Sequence, residues 1–187
     1  MITDALVSFV SVGSPLSLVG ANGQTFASNV LDLLGEGVGT APQNIIGTRT
    51  VFGTDQGVGG LRPELNITIG TALVAGVAGT LLKAALQGAA DQGAAGGYQP
   101  STWTDIDSQD NISPANATAG AVIFRTPFIP TFPPGLMPRY LRLLFSPMTA
   151  TALPSGDFSA GTILSALVTM VRDDQSNKFA AKNFAVA

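Results

Sequence analysis

The sequence predicts an all-β protein with antiparallel sheets, arranged as a sandwich or a barrel. Short segments alternate apolar and polar residues with a period of two, and 22 Gly and 12 Pro residues among 187 punctuate the chain. Many short strands joined by Gly- and Pro-bearing turns are typical of these architectures. Hydrophobic residues make up 45% of the chain and charged residues 11%, a balance that supplies a core and excludes a disordered chain.

Two segments carry the clearest alternation. Residues 65–69 place Leu or Ile at every second position with Asn and Thr between them, as in a half-buried strand. In residues 139–145, Leu141 and Leu143 are predicted to face inward. Arg139, Tyr140 and Arg142 are expected near the polar side or an edge, where they orient the strand. Further strands are predicted at residues 28–34, 45–52, 80–87, 101–107, 121–129 and 162–171, which makes about eight in all.

The segment 80–90 is ambiguous, because four of its residues also fit a helical stripe: Leu82, Ala85, Leu86 and Ala89. We predict a strand there. The chain is expected to be a single domain, with Gly-rich insertion loops near 35–60 and 90–97 and a polar C-terminal tail at 172–187.

Absent residue types exclude several classes of site. The chain has no Cys, so disulfides, thiolate zinc sites and Cys nucleophiles are ruled out. It has no His, which removes the Ser-His-Asp triad and the His-bearing zinc enzymes. We therefore predict no enzymatic activity, no cofactor and no metal site.

The charge pattern bears on partners and targeting. With 9 basic and 12 acidic residues the formal net charge is −3, and no basic patch is present to bind nucleic acid or a membrane surface. The first basic residue is Arg49, so no secretory signal is predicted. The 18 uncharged residues between Glu64 and Lys83 approach the length of a membrane span, but their Asn, Thr and Gly content favours two short strands with a turn.

Three motifs have both a functional and a structural interpretation. The Gly-rich residues 35–39 and 57–60 resemble phosphate-binding loops, but they lack the Lys-Ser/Thr pair of a P-loop, and loop flexibility explains them. Residues 105–110 offer three carboxylates for calcium, and Asp105 with Asp107 on one strand face offers a pair for glycoside hydrolysis. EF-hand spacing fails, and solvated residues at a strand end are favoured. Trp103 and Phe128 could stack on a sugar, although single aromatic residues on strands belong more often to a core.

The most informative local feature is a rigid Pro-Pro-Gly turn at 133–135 that leads into the amphipathic strand at 139–143. Further pieces lie at 1–4 (Met-Ile-Thr-Asp), 28–33 (Ser-Asn-Val-Leu-Asp-Leu), 82–87 (Leu-Lys-Ala-Ala-Leu-Gln), 103–107 and 156–161 (Gly-Asp-Phe-Ser-Ala-Gly). Taken in chain order, all of these pieces together span most of the chain. Together they resemble the capsid cement proteins of tailed bacteriophages, of the Bordetella-phage jelly-roll type.

This resemblance implies a jelly-roll sandwich that dimerises and sits on the outer face of a capsid, where it ties neighbouring major capsid protein subunits together. It implies a structural protein of the virion, assembled in the host cytoplasm. The segments 35–60 and 90–97 depart from the family by being longer than expected. We expect partner contacts in the loops and at the two chain ends, with Phe179, Lys182 and Phe184 of the tail as candidate contact residues.

Two alternatives from other classes stay open. A carbohydrate-binding β-sandwich module of a phage tail or receptor-binding protein would use Trp103 and the carboxylates of residues 105–110, and calcium would stabilise it. An enzyme that works with carboxylates alone would need two of them at catalytic separation in a cleft.

Overall fold

The computed structural model of the chain describes residues 8–32, 36–40, 50–52, 63–93, 99–127 and 138–170. These residues form fourteen β-strands and a single turn of 3₁₀ helix at Pro114–Asn116. The strands are β1 (Ser8–Val10), β2 (Leu16–Ser17), β3 (Phe26–Ala27), β4 (Leu31–Asp32), β5 (Glu36–Thr40), β6 (Thr50–Phe52), β7 (Pro63–Ile69), β8 (Val74–Ala75), β9 (Leu81–Ala89), β10 (Thr104–Ile112), β11 (Val122–Pro127), β12 (Tyr140–Met148), β13 (Phe158–Ala160) and β14 (Thr162–Met170). No helix among the described residues is long and apolar enough to cross a membrane.

Two antiparallel sheets form the body of the protein. The first sheet has the order β1-β14-β7-β11, with β2 also paired to β14. The second sheet has the order β10-β9-β12-β3, with β4 also paired to β12. Two small sheets join β13 to β8 and β5 to β6. In the series β7, β9, β10, β11, β12 and β14, only the step from β9 to β10 stays within one sheet, so the chain crosses repeatedly between the two.

The core lies between the inner faces of the two sheets, where alternate residues of each long strand meet. The buried positions include Leu65, Ile67 and Ile69 in β7 and Leu141, Leu143 and Phe145 in β12. Each such side chain contributes about 1.5–3 kcal/mol by leaving water. The predicted all-β sandwich with antiparallel sheets is confirmed, and so is the inward direction of Leu141 and Leu143.

The ambiguous segment at 80–90 is a strand, as predicted. β9 is the centre of the second sheet, with β10 on one side and β12 on the other. Leu82, Ala84 and Leu86 face the core, while Lys83 and Gln87 lie on the outer face. Pairing on both edges overrides the helical tendency of its Ala and Leu residues, because strand formation depends mainly on neighbouring strands.

Several expectations about individual strands need correction. Half of the fourteen strands are only two or three residues long, and β1, β2, β3, β8 and β13 were not expected. The prediction of a loop at 35–39 is wrong for residues 36–39, which belong to β5; this strand pairs with β6. Of the predicted strand at 28–34, only β4 is a strand among the described residues. Before it, the backbone N–H of Ser28 donates to Leu143 O and that of Asn29 donates to Phe9 O.

β10 begins and ends later than predicted, because its polar second half can pair with β9 through backbone groups alone. The tail at 172–187, with its candidate contact residues Phe179, Lys182 and Phe184, lies outside the described residues, as do Phe128 and the Pro-Pro-Gly turn.

Candidate functional site

Two surfaces stand out as candidate sites. The first is the outer face of the second sheet, hereafter the ion-pair face. It is formed by Asp32, Lys83, Gln87, Asp91, Trp103, Asp105, Arg139, Tyr140 and Arg142. Strand register brings these residues together, since Tyr140 pairs with Asp32 on one side and Ala89 on the other, and Arg142 pairs with Gln87.

Arg139 is the centre of one half of the ion-pair face. Its Nε and Nη2 donate to the two carboxylate oxygens of Asp32 at 2.9 and 2.7 Å, a bidentate arrangement, and its Nη1 donates to Asp91 Oδ2. The guanidinium also lies 5.0 Å from the centroid of the Tyr140 ring. Hydrogen bonding to Asp32 and Asp91 raises the pKa of the Arg139 guanidinium above its ordinary value. The group therefore fastens β4 and the end of β9 to the start of β12.

Arg142 organises the other half. Its guanidinium carbon lies 4.2 Å from the centroid of the Trp103 ring, and its Nε donates to Gln87 Oε1 at 2.9 Å. Gln87 Nε2 in turn donates to Asp105 Oδ1 at 2.7 Å. Burial lowers the pKa of Arg142. The result is a continuous chain of stacking and hydrogen bonds across β12, β9 and β10.

Asp105 and Lys83 end this chain with an ion pair. Lys83 Nζ donates to Asp105 Oδ2 at 2.8 Å and lies 4.0 Å from Asp110 Oδ1. Burial pushes the pKa of Asp105 upward, but the hydrogen bonds from Lys83 and Gln87 and the charge of Lys83 outweigh it, so the pKa is held below its usual value. The hydrogen bond to Asp105 raises the pKa of Lys83. Both charged forms are therefore favoured by the fold.

These contacts bear directly on the carboxylate motif at 105–110. Both oxygens of Asp105 already accept hydrogen bonds within the protein. The register with β9 shifts between Asp105 and Asp107, so the regular alternation that would place both on one face does not apply. Across the part of the chain that the structure describes, no three acidic side chains lie close enough to hold a metal ion.

Trp103 belongs to the ion-pair face and is absent from the buried core cluster. Its ring is partly buried and is stacked by Arg142. The partnerships of Arg139 with Asp32 and Asp91 were not foreseen, because the residues are separated by 107 and 48 positions in the chain. The sequence signal that was available is the clustering of Arg139, Tyr140 and Arg142 at one strand start.

The second surface is one end of the sandwich, hereafter the uncharged end. It consists of residues 18–25, 70–80, 113–121 and 149–161, which together contain one charged residue, Asp157. Backbone hydrogen bonds of 2.8 to 3.0 Å tie these segments to one another: Leu18 N–H to Gly161 O, Gly23 N–H to Gly156 O, Leu73 N–H to Ala117 O and Gly76 N–H to Asp157 O. The four segments therefore form one connected surface.

The uncharged end exposes apolar side chains. Val19, Val74, Val77 and Leu153 are 48%, 50%, 41% and 49% exposed, respectively. Tight backbone approaches hold the loops beneath them, since Gly156 has φ +82° and packs against the buried Thr80. The sequence shows that the residues between Glu64 and Lys83 are uncharged. Only the fold shows that residues 70–80 of this stretch lie beside three other segments that are nearly free of charge.

A third feature is a small groove of about 120 Å³ beside β1 and β3. Its lining residues include Phe9, Ser14 and Asn29, and none of the lining side chains is ionisable. The groove therefore lacks the carboxylates that either alternative function needs.

No protein-family model matches this chain, and no curated protein matches it either.

Proposed function

We propose that this protein is a structural protein of a bacteriophage virion, which cements or decorates the capsid by binding its outer surface between major capsid protein subunits. The observation that carries the proposal is the uncharged end, an exposed apolar surface built from four connected segments with one charged residue. The resemblance of the sequence to phage cement proteins supplies the class of partner.

The chain carries unusually few charged residues for its length. An ordinary soluble domain carries about 25% charged residues, whereas this chain carries 11%. A large core alone does not explain the difference, because Val19, Val74, Val77 and Leu153 are substantially exposed. Protein interfaces deplete charge at their centre, while free surfaces need it for solubility. A surface of this composition is suited to being covered by other protein.

The strand order supports the jelly-roll expectation. A jelly roll consists of two sheets whose consecutive strands cross between them in Greek-key fashion. The crossings between β7 and β14 follow that pattern, with β9 to β10 as the one step inside a sheet. The short strands β1 and β3 extend it to the start of the described chain, one in each sheet.

The proposed mechanism is additive. Each copy buries apolar area at about 25 cal/mol per Å² before entropic costs, and simultaneous contacts with several shell subunits raise the effective affinity. The shell contacts are expected in the loops and at the two chain ends. Phe179, Lys182 and Phe184 stay the predicted contact residues.

Sedimentation of the purified protein with empty capsid shells of its phage tests the proposal. We expect the protein to co-sediment at a fixed ratio to the major capsid protein, and cryo-electron microscopy to show a regular outer layer. A Phe179→Ala/Phe184→Ala double variant should bind less, while Val30→Asp, an exposed position on the sandwich, should bind as the unmodified protein does. Protein that stays in the supernatant, or that binds only at the tail, would contradict the capsid role.

Calcium titration separates the sugar-binding alternative. Since Lys83 and Gln87 occupy both oxygens of Asp105, and Arg142 stacks on Trp103, the proposal expects no shift in melting temperature on adding calcium. A calcium-dependent increase would favour the carbohydrate-binding module instead.

A further inference from the structure

We propose that Asn22 is a deamidation site that the fold holds unreactive for as long as two segments of the uncharged end stay in contact. Asn22 lies in the segment 18–25 and is exposed to solvent. The reactive groups of this segment are hydrogen-bonded to Gly156, in the segment 149–161. The inference does not depend on the capsid role, because it concerns only the chemistry of this chain.

The sequence supplies the reactive pair. Asn22 is the only Asn in the sequence that precedes a Gly. In deamidation the backbone nitrogen of the following residue attacks the side-chain amide carbon of the Asn, and a glycine has no Cβ to hinder that approach. By contrast, Asn29, Asn66 and Asn111 each precede Val or Ile, whose β-branched side chains crowd the same nitrogen.

The reaction needs water and no other reactant. A bond forms between Gly23 N and Asn22 Cγ while the bond from Cγ to Nδ2 breaks, and the amide proton of Gly23 leaves with the amine as ammonia. Water then adds to one carbonyl carbon of the resulting succinimide ring and opens it to aspartate or isoaspartate at position 22. Because Asn22 is exposed, ammonia can leave and water can enter. The product carries a new carboxylate on a surface whose four segments contain one charged residue.

The fold holds the attacking nitrogen in another hydrogen bond. Gly23 N–H donates to Gly156 O at 2.8 Å. The nitrogen must lose this proton and approach Asn22 Cγ, so the hydrogen bond has to break before the attack. Gly156 N–H donates in turn to Asn22 Oδ1 at 3.1 Å. Since Gly156 is buried, both reacting groups are tied to a fixed point of the structure.

The turn that contains Asn22 is fixed at further points. Gln24 N–H donates to Ala21 O at 2.9 Å, which closes a four-residue turn around the reactive pair. Ala21 N–H donates to Gln24 Oε1 at 3.0 Å. Gly156 is held as well, since it packs against the buried Thr80. The attack therefore requires the two segments to separate, and deamidation of Asn22 measures that local opening.

Peptide mapping by mass spectrometry tests the inference on the purified protein in mildly alkaline buffer, with the same protein in guanidinium chloride as the unfolded reference. We expect Asn22 to deamidate at least about tenfold more slowly in the folded protein. Gln24→Ala removes one hydrogen bond of the turn at an exposed position and should raise the folded-state rate at least about threefold. Gly156→Ala should raise it further. Gln92→Ala, which removes a side-chain hydrogen bond to Pro100 O in another loop, is the matched control and should not change the rate.

Hydrogen exchange of the Gly23 amide gives a second measurement on the same variants, after circular dichroism has confirmed that each is folded. Its protection should fall in Gln24→Ala by the factor by which deamidation rises, because both reactions pass through the same opening. Equal deamidation rates in the folded and unfolded protein would overturn the inference. So would a folded Gln24→Ala variant that reacts as slowly as Gln92→Ala, or one that deamidates faster while the protection of Gly23 is unchanged.

Discussion

The uncharged end and the ion-pair face hold the same sandwich together by different interactions. At the uncharged end, segments far apart in sequence are joined by backbone hydrogen bonds, such as Gly23 N–H to Gly156 O. On the ion-pair face, strands are joined by side chains, with Arg139 bonded to Asp32 and Asp91. The first arrangement leaves side chains free to contact a partner, whereas the second uses its charges within the protein.

The difference shows why charge alone does not mark a binding site in this protein. The ion-pair face collects most of the chemistry that a sequence reader would select, including Trp103, Asp105 and Arg142, yet these groups satisfy one another. The uncharged end carries no charged side chain except Asp157, yet it exposes apolar area without a partner in the described chain. The candidate binding surface is therefore the region with the fewest charged side chains.

The largest effect is expected from Gly156→Ala, which tests whether the backbone contacts of the uncharged end are as tight as they look. A Cβ there would collide with the buried Thr80 and force a side chain into φ +82°. We expect a loss of about 2 to 4 kcal/mol of unfolding free energy, from backbone strain and overpacking together. Gly79→Ala is the control, since it has φ +81° with no atom nearby and should cost about 1 kcal/mol. If urea denaturation gave the same loss of unfolding free energy for Gly156→Ala and Gly79→Ala, the close packing of Gly156 against Thr80 would be refuted.

The next effect compares two arginines, one on each sheet. Arg139→Ala leaves Asp32 and Asp91 without their shared partner, and we expect the melting temperature to fall by about 5 °C. Arg125 on the first sheet pairs with Glu64 at 2.6 Å, but its side chain is 63% exposed. Because exposed pairs contribute little, Arg125→Ala should cost no more than about 0.5 kcal/mol. Equal decreases in melting temperature for Arg139→Ala and Arg125→Ala would contradict the expected difference between the two ion pairs.

A smaller effect is expected from acid. The pKa of Asp105 is held below its usual value in the folded state, so its stabilising contribution is complete above the unfolded-chain pKa of about 3.9 and is lost as pH falls through the folded-state pKa. Asp105→Asn should therefore destabilise the protein at pH 6, and the difference from the unmodified protein should shrink toward pH 3. A difference that stays constant across this range would show that Asp105 acts by packing and not by charge.

Much of the sandwich could be predicted from local sequence. The alternation in β7 and β12 is a property of neighbouring residues, so it identified the strands and the inward direction of Leu141 and Leu143. β10 was placed too early, because an edge strand pairs through its backbone and needs no apolar pattern. Strands of two or three residues, such as β3, carry too few positions to show any period.

The candidate site was less accessible to sequence reasoning, because it depends on long-range neighbours. The pairing of Arg139 with Asp32 and of Lys83 with Asp105 follows from strand order and register, which the alternation does not specify. The composition of the uncharged end is visible in the sequence, but its four segments become one surface only through contacts such as Leu73 N–H to Ala117 O. Topology was the missing information in both cases.

The smallest effect, and the sharpest comparison of the two regions, is expected from salt. Ion pairs between partly exposed groups weaken as the Debye length falls from about 10 Å at 0.1 M to about 3 Å at 1 M. The stability difference between the unmodified protein and Arg139→Ala should therefore narrow as sodium chloride is raised over this range. The backbone contacts at Gly156 in the uncharged end involve no ion pair, so the loss of unfolding free energy caused by Gly156→Ala should stay constant under the same conditions. If the Gly156→Ala loss narrowed with salt as much as the Arg139→Ala loss, the two regions would not differ in the kind of interaction that stabilises them.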